Sequence, residues 1–225
     1  MSLNSLLGAG AQPSSAAVAG ILSRLDALDP PRLATLTDVA FPAGMPGRLP
    51  GLWAVLTEFR ATLVDCGAQG RDERQAAAAN QCFYLCLAAA SQPAATPHVG
   101  RALSFRRRIE AAVLERHPDW VDPAGPDAGA FADFLVEGLP VLPDLRRHPV
   151  AIYNGEDGTC VIYRSPAWHD PTAPVIGLLH AEGHYQLLRW GRPAGGPPLA
   201  DLQAAHGILT QGTPRVGALV IDAVT

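Results

Sequence analysis

Two residues of this chain carry the means for nucleophilic acyl transfer. Cys82 stands in Asn80-Gln81-Cys82-Phe83-Tyr84-Leu85-Cys86-Leu87-Ala88-Ala89-Ala90, behind two amide side chains and ahead of a run that predicts a buried helix. A thiol at a helix N-terminus lies near the positive end of the helix dipole, which favours the nucleophilic thiolate. Much further along, Gly183-His184-Tyr185-Gln186-Leu187-Leu188 offers a histidine in an apolar, strand-like setting. A cysteine and a sequence-distant histidine joined by the fold are the minimum constellation for a cysteine peptidase. Each also has a plainer reading, Cys82 as a buried structural thiol and His184 as a strand histidine bonded to a neighbour.

The segment His180-Ala181-Glu182-Gly183-His184 spaces two histidines four apart. On a helix they would share a face for zinc. The spacing is not HExxH, Gly183 and the flanking strand patterns predict a turn, and a third ligand is missing. No metal and no cofactor are expected. Cys86 lies one turn beyond Cys82 and reads as a packed small hydrophobe.

Composition narrows the classes. The chain has 225 residues, of which 48% are apolar, enough for one domain with or without a terminal appendage. A net charge of -4 and no basic run beyond Arg106-Arg107-Arg108 argue against a nucleic-acid partner. No apolar stretch is long enough for a transmembrane helix, and Met1 to Gly10 lacks the basic start of a secretory signal. Four cysteines without CxxC spacing read as free thiols in a reducing compartment. All 17 basic residues are arginine. Two explanations stand side by side, a GC-rich coding sequence and selection against ubiquitin-acceptor amines.

The elements that must position Cys82 and His184 follow from periodicity. Residues 1–13 read as a leader, and Ala16 to Leu28 as a helix capped by Ser14-Ser15. After a turn-rich passage through Phe41 to Pro50, a second helix is expected over Leu52 to Val64, with Trp53, Leu56, Phe59 and Leu63 on one face. The Cys82 helix comes next. Val99 to Arg116 predicts an amphipathic helix with Arg101, Arg106, Arg107 and Arg108 on a solvated face. A shorter helix is expected over Phe131 to Leu135. Four short strands follow: Val150 to Tyr153, Thr159 to Tyr163, Val175 to Leu179 and His184 to Trp190. Asn154-Gly155-Glu156-Asp157-Gly158 is a hairpin turn between the first two. Leu199 to Leu209 predicts a helix and Val216 to Val224 a last strand or an ordered tail, giving α+β: helices first, then a small mixed or antiparallel sheet.

The joint pattern resembles the ovarian-tumour (OTU) family of cysteine peptidases, which remove ubiquitin. That family opens a central helix with an Asp-Gly-Asn-Cys type segment and delivers its histidine from a terminal sheet in a Gly/Glu-His-Tyr-x-x-Leu context. The counterparts here are Asn80-Gln81-Cys82-Phe83 and Glu182-Gly183-His184-Tyr185-Gln186-Leu187-Leu188, within a resemblance covering roughly Ala77 to Trp190. It implies an OTU-like, papain-type fold with an N-terminal helical extension over 1–65, a catalytic core over 66–198 and a helix/strand tail over 199–225.

The resemblance also assigns roles. Cys82 becomes the nucleophile and His184 the general base. Backbone amides of Cys82 and the turn through Asn80 and Gln81 form the oxyanion hole, and Tyr185 borders a narrow channel for Gly-Gly. Ala79 stands where the family has an aspartate, so Gln186, two residues after the histidine, is the candidate to orient the imidazole. Asn80 is a second candidate, and a bare Cys–His dyad a third arrangement. The implied partner is ubiquitin or a ubiquitin-like protein, cleaved by a bacterial or viral protein in the cytoplasm, in a host cytosol after delivery or viral expression. A protease cutting a viral or toxin polypeptide, and an inactive ubiquitin-binding module, are the alternatives.

Overall fold

The computed structural model describes residues 34–68, 82–91, 99–116, 147–164, 168, 170–193, 195–210 and 218–222. Strands β1 (Ala34–Val39), β2 (Thr62–Ala68), β3 (Val150–Asn154), β4 (Cys160–Arg164), β5 (Ile176–Ala181), β6 (His184–Arg189) and β7 (Ala218–Asp222) form one sheet in the order β1-β2-β6-β5-β3-β4-β7. Pairing is antiparallel except between β3 and β5 and between β4 and β7, so the sheet is mixed. Helices α1 (Met45–Arg48), α2 (Pro50–Glu58), α3 (Cys82–Ser91), α4 (Val99–Arg116) and α5 (Leu199–Thr210) complete the described elements. The expected α+β character holds in this general sense.

Alternation along the strands divides the apolar side chains between two cores. Val150 and Ile152 face one side and Ala151 and Tyr153 the other; Leu178 and Leu179 are split in the same way. The first core takes in α3 almost whole, Phe83 to Ala89, with Ala102, Phe105 and Ile109 of α4 behind it. The second joins Met45, Leu49, Leu52, Val55 and Leu56 to Leu199, Leu202 and Ala205 of α5. The sheet is thus covered on both faces.

The N-terminal half departs from expectation. The helix expected over Leu52 to Val64 stops at Glu58, and the chain turns into β2. Arg60 takes a left-handed conformation, φ 49°. Its amide donates to Thr57 and that of Ala61 donates back to Leu56, at 3.0 and 2.8 Å. This is the paired-bond helix stop that glycine usually provides, made here by arginine. Phe59 and Leu63 are buried by both periodicities, which is why one helix fitted the pattern. β1 lies in a stretch where no element was expected. The boundary expected after residue 65 falls inside β2, which pairs with β6, so β1 and β2 belong to the same sheet as the later strands.

The arginine run also differs. Arg106 is buried, with its guanidinium 5.6 Å from the centre of the Tyr84 ring, so it packs on α3 instead of lining a solvated face. The expected leader and the helices over 16–28 and 131–135 lie outside the described residues.

Two features of the second core give tests. Trp190 is locked there by its indole N–H donating to the Val175 carbonyl at 2.9 Å, and by edge contacts with Phe59 and Tyr153. It lies flat across Gly177, where a Cβ would overlap the indole. Gly177→Ala is expected to cost about 1–3 kcal/mol by overpacking, read as a lower Tm.

His206 of α5 is buried, with Nε2 3.1 Å from the Tyr153 hydroxyl, and burial pushes its pKa down to about 4. The unfolded chain therefore binds this proton more readily, and stability falls as pH drops from about 6.5 to about 4. Urea unfolding across that interval is expected to lose this slope in His206→Gln.

Candidate functional site

Cys82 is the first residue of α3 and is partly exposed, whereas Phe83 to Ala89 behind it are buried. Among the four cysteines it is the partly exposed one; Cys66, Cys86 and Cys160 are buried. Burial raises the Cys86 thiol well above its ordinary value, and the thiol donates to the Tyr185 carbonyl at 3.6 Å. That fits the packed role expected for Cys86.

His184 opens β6 directly after a two-residue turn. Ala181 pairs with His184, and Glu182 and Gly183 between them both have positive φ, 52° and 72°. Two such residues make the mirror-image turn that matches strand twist in a hairpin. The turn fixes the register, and the register fixes where the imidazole stands.

The imidazole is held by a residue the sequence reading did not single out. His184 Nε2 is 2.7 Å from Asp65 Oδ1, across neighbouring strands β6 and β2. The side-chain hydrogen bond with Cys82 is the largest influence on the ring. With the Asp65 hydrogen bond and the negative charge on both partners, it outweighs partial burial and raises His184 from 6.5 to about 9. A thiol and a carboxylate, Cys82 and Asp65, thus both act on the His184 imidazole.

Gln186, the expected third member, lies two residues along β6 and makes no hydrogen bond to that ring; the carboxylate from β2 takes the place. Tyr185 is corrected as well. Its ring is 3% exposed and packed in the α3 core, so it walls no open channel. Asn80 and Gln81 lie outside the described residues. His180 and His184 do not converge on a common ligand position: the first stacks on Tyr185 and the second bonds Asp65. Among the described residues no group of three metal-ligating side chains occurs. No helix of the described residues is long and apolar enough to cross a membrane.

The one sequence signal for Asp65 was Leu63-Val64-Asp65-Cys66, a carboxylate inside an apolar strand-like run. An acid there is costly unless it has a partner. Comparison with models of known protein families, with curated proteins and with solved structures gives no match.

The raised pKa sets the sign of a stability effect. A histidine at about 9 in the fold and about 6.5 unfolded adds stability that is complete below about pH 6.5 and lost as pH rises through about 9. In Asp65→Asn the ring is expected to titrate closer to 6.5, and in Gln186→Ala to stay near 9. An NMR titration of the His184 ring decides between the two carboxamide and carboxylate assignments.

Proposed function

We propose that the protein is a cysteine hydrolase with Cys82 as nucleophile, His184 as acid and base, and Asp65 as the group that orients the imidazole. The observation that carries this reading is the Asp65–His184 contact at 2.7 Å, on a ring held near 9 by the adjacent thiol. Such an arrangement lets the imidazole take up the thiol proton as the sulfur attacks. The sulfur attacks an acyl carbon, and the oxyanion faces the amide at the start of α3. The imidazolium gives its proton to the leaving amine. His184 then takes a proton from water, which hydrolyses the thioester.

The substrate class in this proposal is ubiquitin or a ubiquitin-like protein joined through its C-terminal glycine. It rests on the OTU-like segments around Cys82 and His184. A nucleophile opening a helix that packs on the sheet, with the histidine on a neighbouring strand, supports the papain-type comparison. The departure is the third residue, which comes from β2 upstream of the cysteine instead of two positions after the histidine. The arginine-only basic set favours work beside ubiquitin-conjugating enzymes, in the host-cytosol setting implied above, since the chain offers them no side-chain amine.

Ubiquitin bearing a C-terminal electrophile tests this directly. The wild-type chain is expected to gain one ubiquitin, mapped by mass spectrometry to Cys82. Cys82→Ala should gain none, and His184→Ala should react about 10²- to 10⁴-fold more slowly, the usual span of general acid–base catalysis. Labelling at Cys66, Cys86 or Cys160 overturns the site. No labelling with intact ubiquitin binding makes the protein a binding module, and neither labelling nor binding removes ubiquitin as the substrate.

A further inference from the structure

The residue after the nucleophile and the residue after the base touch each other. Phe83 and Tyr185 meet edge to face, with ring centres 5.2 Å apart and planes at 67°. Both are almost fully buried, 2% and 3% exposed, so neither ring can swing away. Phe83 is also braced by Tyr84, 5.5 Å away at 80°. Cys82 is the first described residue of its helix, and the contact between Phe83 and Tyr185 ties the residue beside it to β6.

Tyr185 is itself held by His180. The two are cross-strand partners in β5 and β6, and their rings stack with centres 4.3 Å apart and planes 25° from parallel. Such contacts add about 0.5–1.5 kcal/mol beyond burial and constrain ring orientation. The His180 backbone is fixed too, since its carbonyl accepts from Gly155 N–H at 2.8 Å. Its Nε2 is buried and has no hydrogen-bond partner among the described residues. Burial and the nearby His184 lower its pKa, against the opposing pull of Glu156. A neutral ring with one nitrogen unengaged is suited to giving shape, and poorly suited to relaying a proton.

We propose that His180 is a positioning residue for the Cys82–His184 pair: stacked on Tyr185, it holds that ring against Phe83 and so sets the separation of sulfur and imidazole. This rests on the reading that Cys82 and His184 act together, and it does not depend on which acyl group they cleave. The ring face is the working part, so any flat ring of similar size should serve. A side chain without one should let the Tyr185 ring tilt and the helix start drift. A misplacement of about 1 Å can cost on the order of 10²-fold in rate.

The test uses the full chain and iodoacetamide, which needs no protein substrate. Alkylation at Cys82 is followed by peptide mass spectrometry from pH 5 to 10, with the His184 ring titrated by NMR and Tm measured alongside. His180→Ala and His180→Leu are expected to alkylate at least tenfold more slowly at pH 7, with the His184 titration moved from about 9 towards 6.5. Their Tm should fall by no more than a few degrees. His180→Phe should restore both the rate and the titration. Wild-type behaviour of His180→Leu in both readouts overturns the proposal, as does a His180→Phe variant as slow as His180→Leu. If His180→Ala fails to fold, the leucine and phenylalanine variants decide alone. A separate outcome sinks the pairing beneath it: wild-type His184 titrating near 6.5 and Cys82 reacting no faster than in His184→Ala. Failure to label with the ubiquitin electrophile, by contrast, would leave this result standing.

Discussion

The Asp65–His184 hydrogen bond is the contact around which the described fold makes chemical sense. It joins β2 to β6 with one carboxylate and one imidazole, with side chains 37% and 43% exposed. An ion pair that open contributes about 0–1 kcal/mol at most, so it cannot be what holds the two strands together. The dependence runs the other way. The strands must be fixed by other forces, and the pair benefits from a geometry it does not create.

Those forces lie in the two cores. β2 sends Leu63 into one and Val64 and Cys66 into the other, and β6 divides Leu188 and Tyr185 in the same way. Burial of that kind stabilises by roughly 1.5–3 kcal/mol for each large apolar side chain, several times the worth of the exposed pair. The corner that launches β2 is fastened separately. The Phe59 carbonyl accepts from the amides of Gly191 and Arg192 at 3.1 and 3.0 Å, just past the end of β6. Gly191 is needed there because a Cβ would stand 2.7 Å from the Arg60 carbonyl oxygen. The far ends of both strands are thus tied at one point, leaving Asp65 and His184 towards the other end.

What could be read from the sequence follows from this division of labour. Local signals were legible: the cysteine at a helix start, the Glu182-Gly183 turn, the strands from Val150 to Trp190 and the helix at Leu199. Asp65 was not, because it meets His184 only through a pairing of β2 with β6, 119 residues apart, that no local pattern announces. The reading of Leu52 to Val64 as one helix concealed it further, since Arg60 ends that helix without the glycine that would have marked the stop. Gln186 looked suitable because it shares a strand with the histidine, yet proximity along a strand does not aim a side chain at the ring. Tyr185 misled for a related reason. Next to a reactive residue it suggested contact with substrate, whereas strand alternation turns successive side chains to opposite faces.

The two histidines whose values move furthest separate burial from charge as influences on a site. His206 is enclosed by apolar side chains and a tyrosine hydroxyl, and is held neutral, with a pKa of about 4. His184 is partly buried too, and that burial also pushes it down, but two potential anions on either side carry it to about 9. Desolvation alone would have made His184 a weaker base than free histidine. With its pKa at about 9 the ring carries its proton at neutral pH, so a free base is not the resting form. In the proposed reaction His184 serves as an acid towards the departing amine, and Asp65 helps by keeping that proton on the ring until the amine needs it.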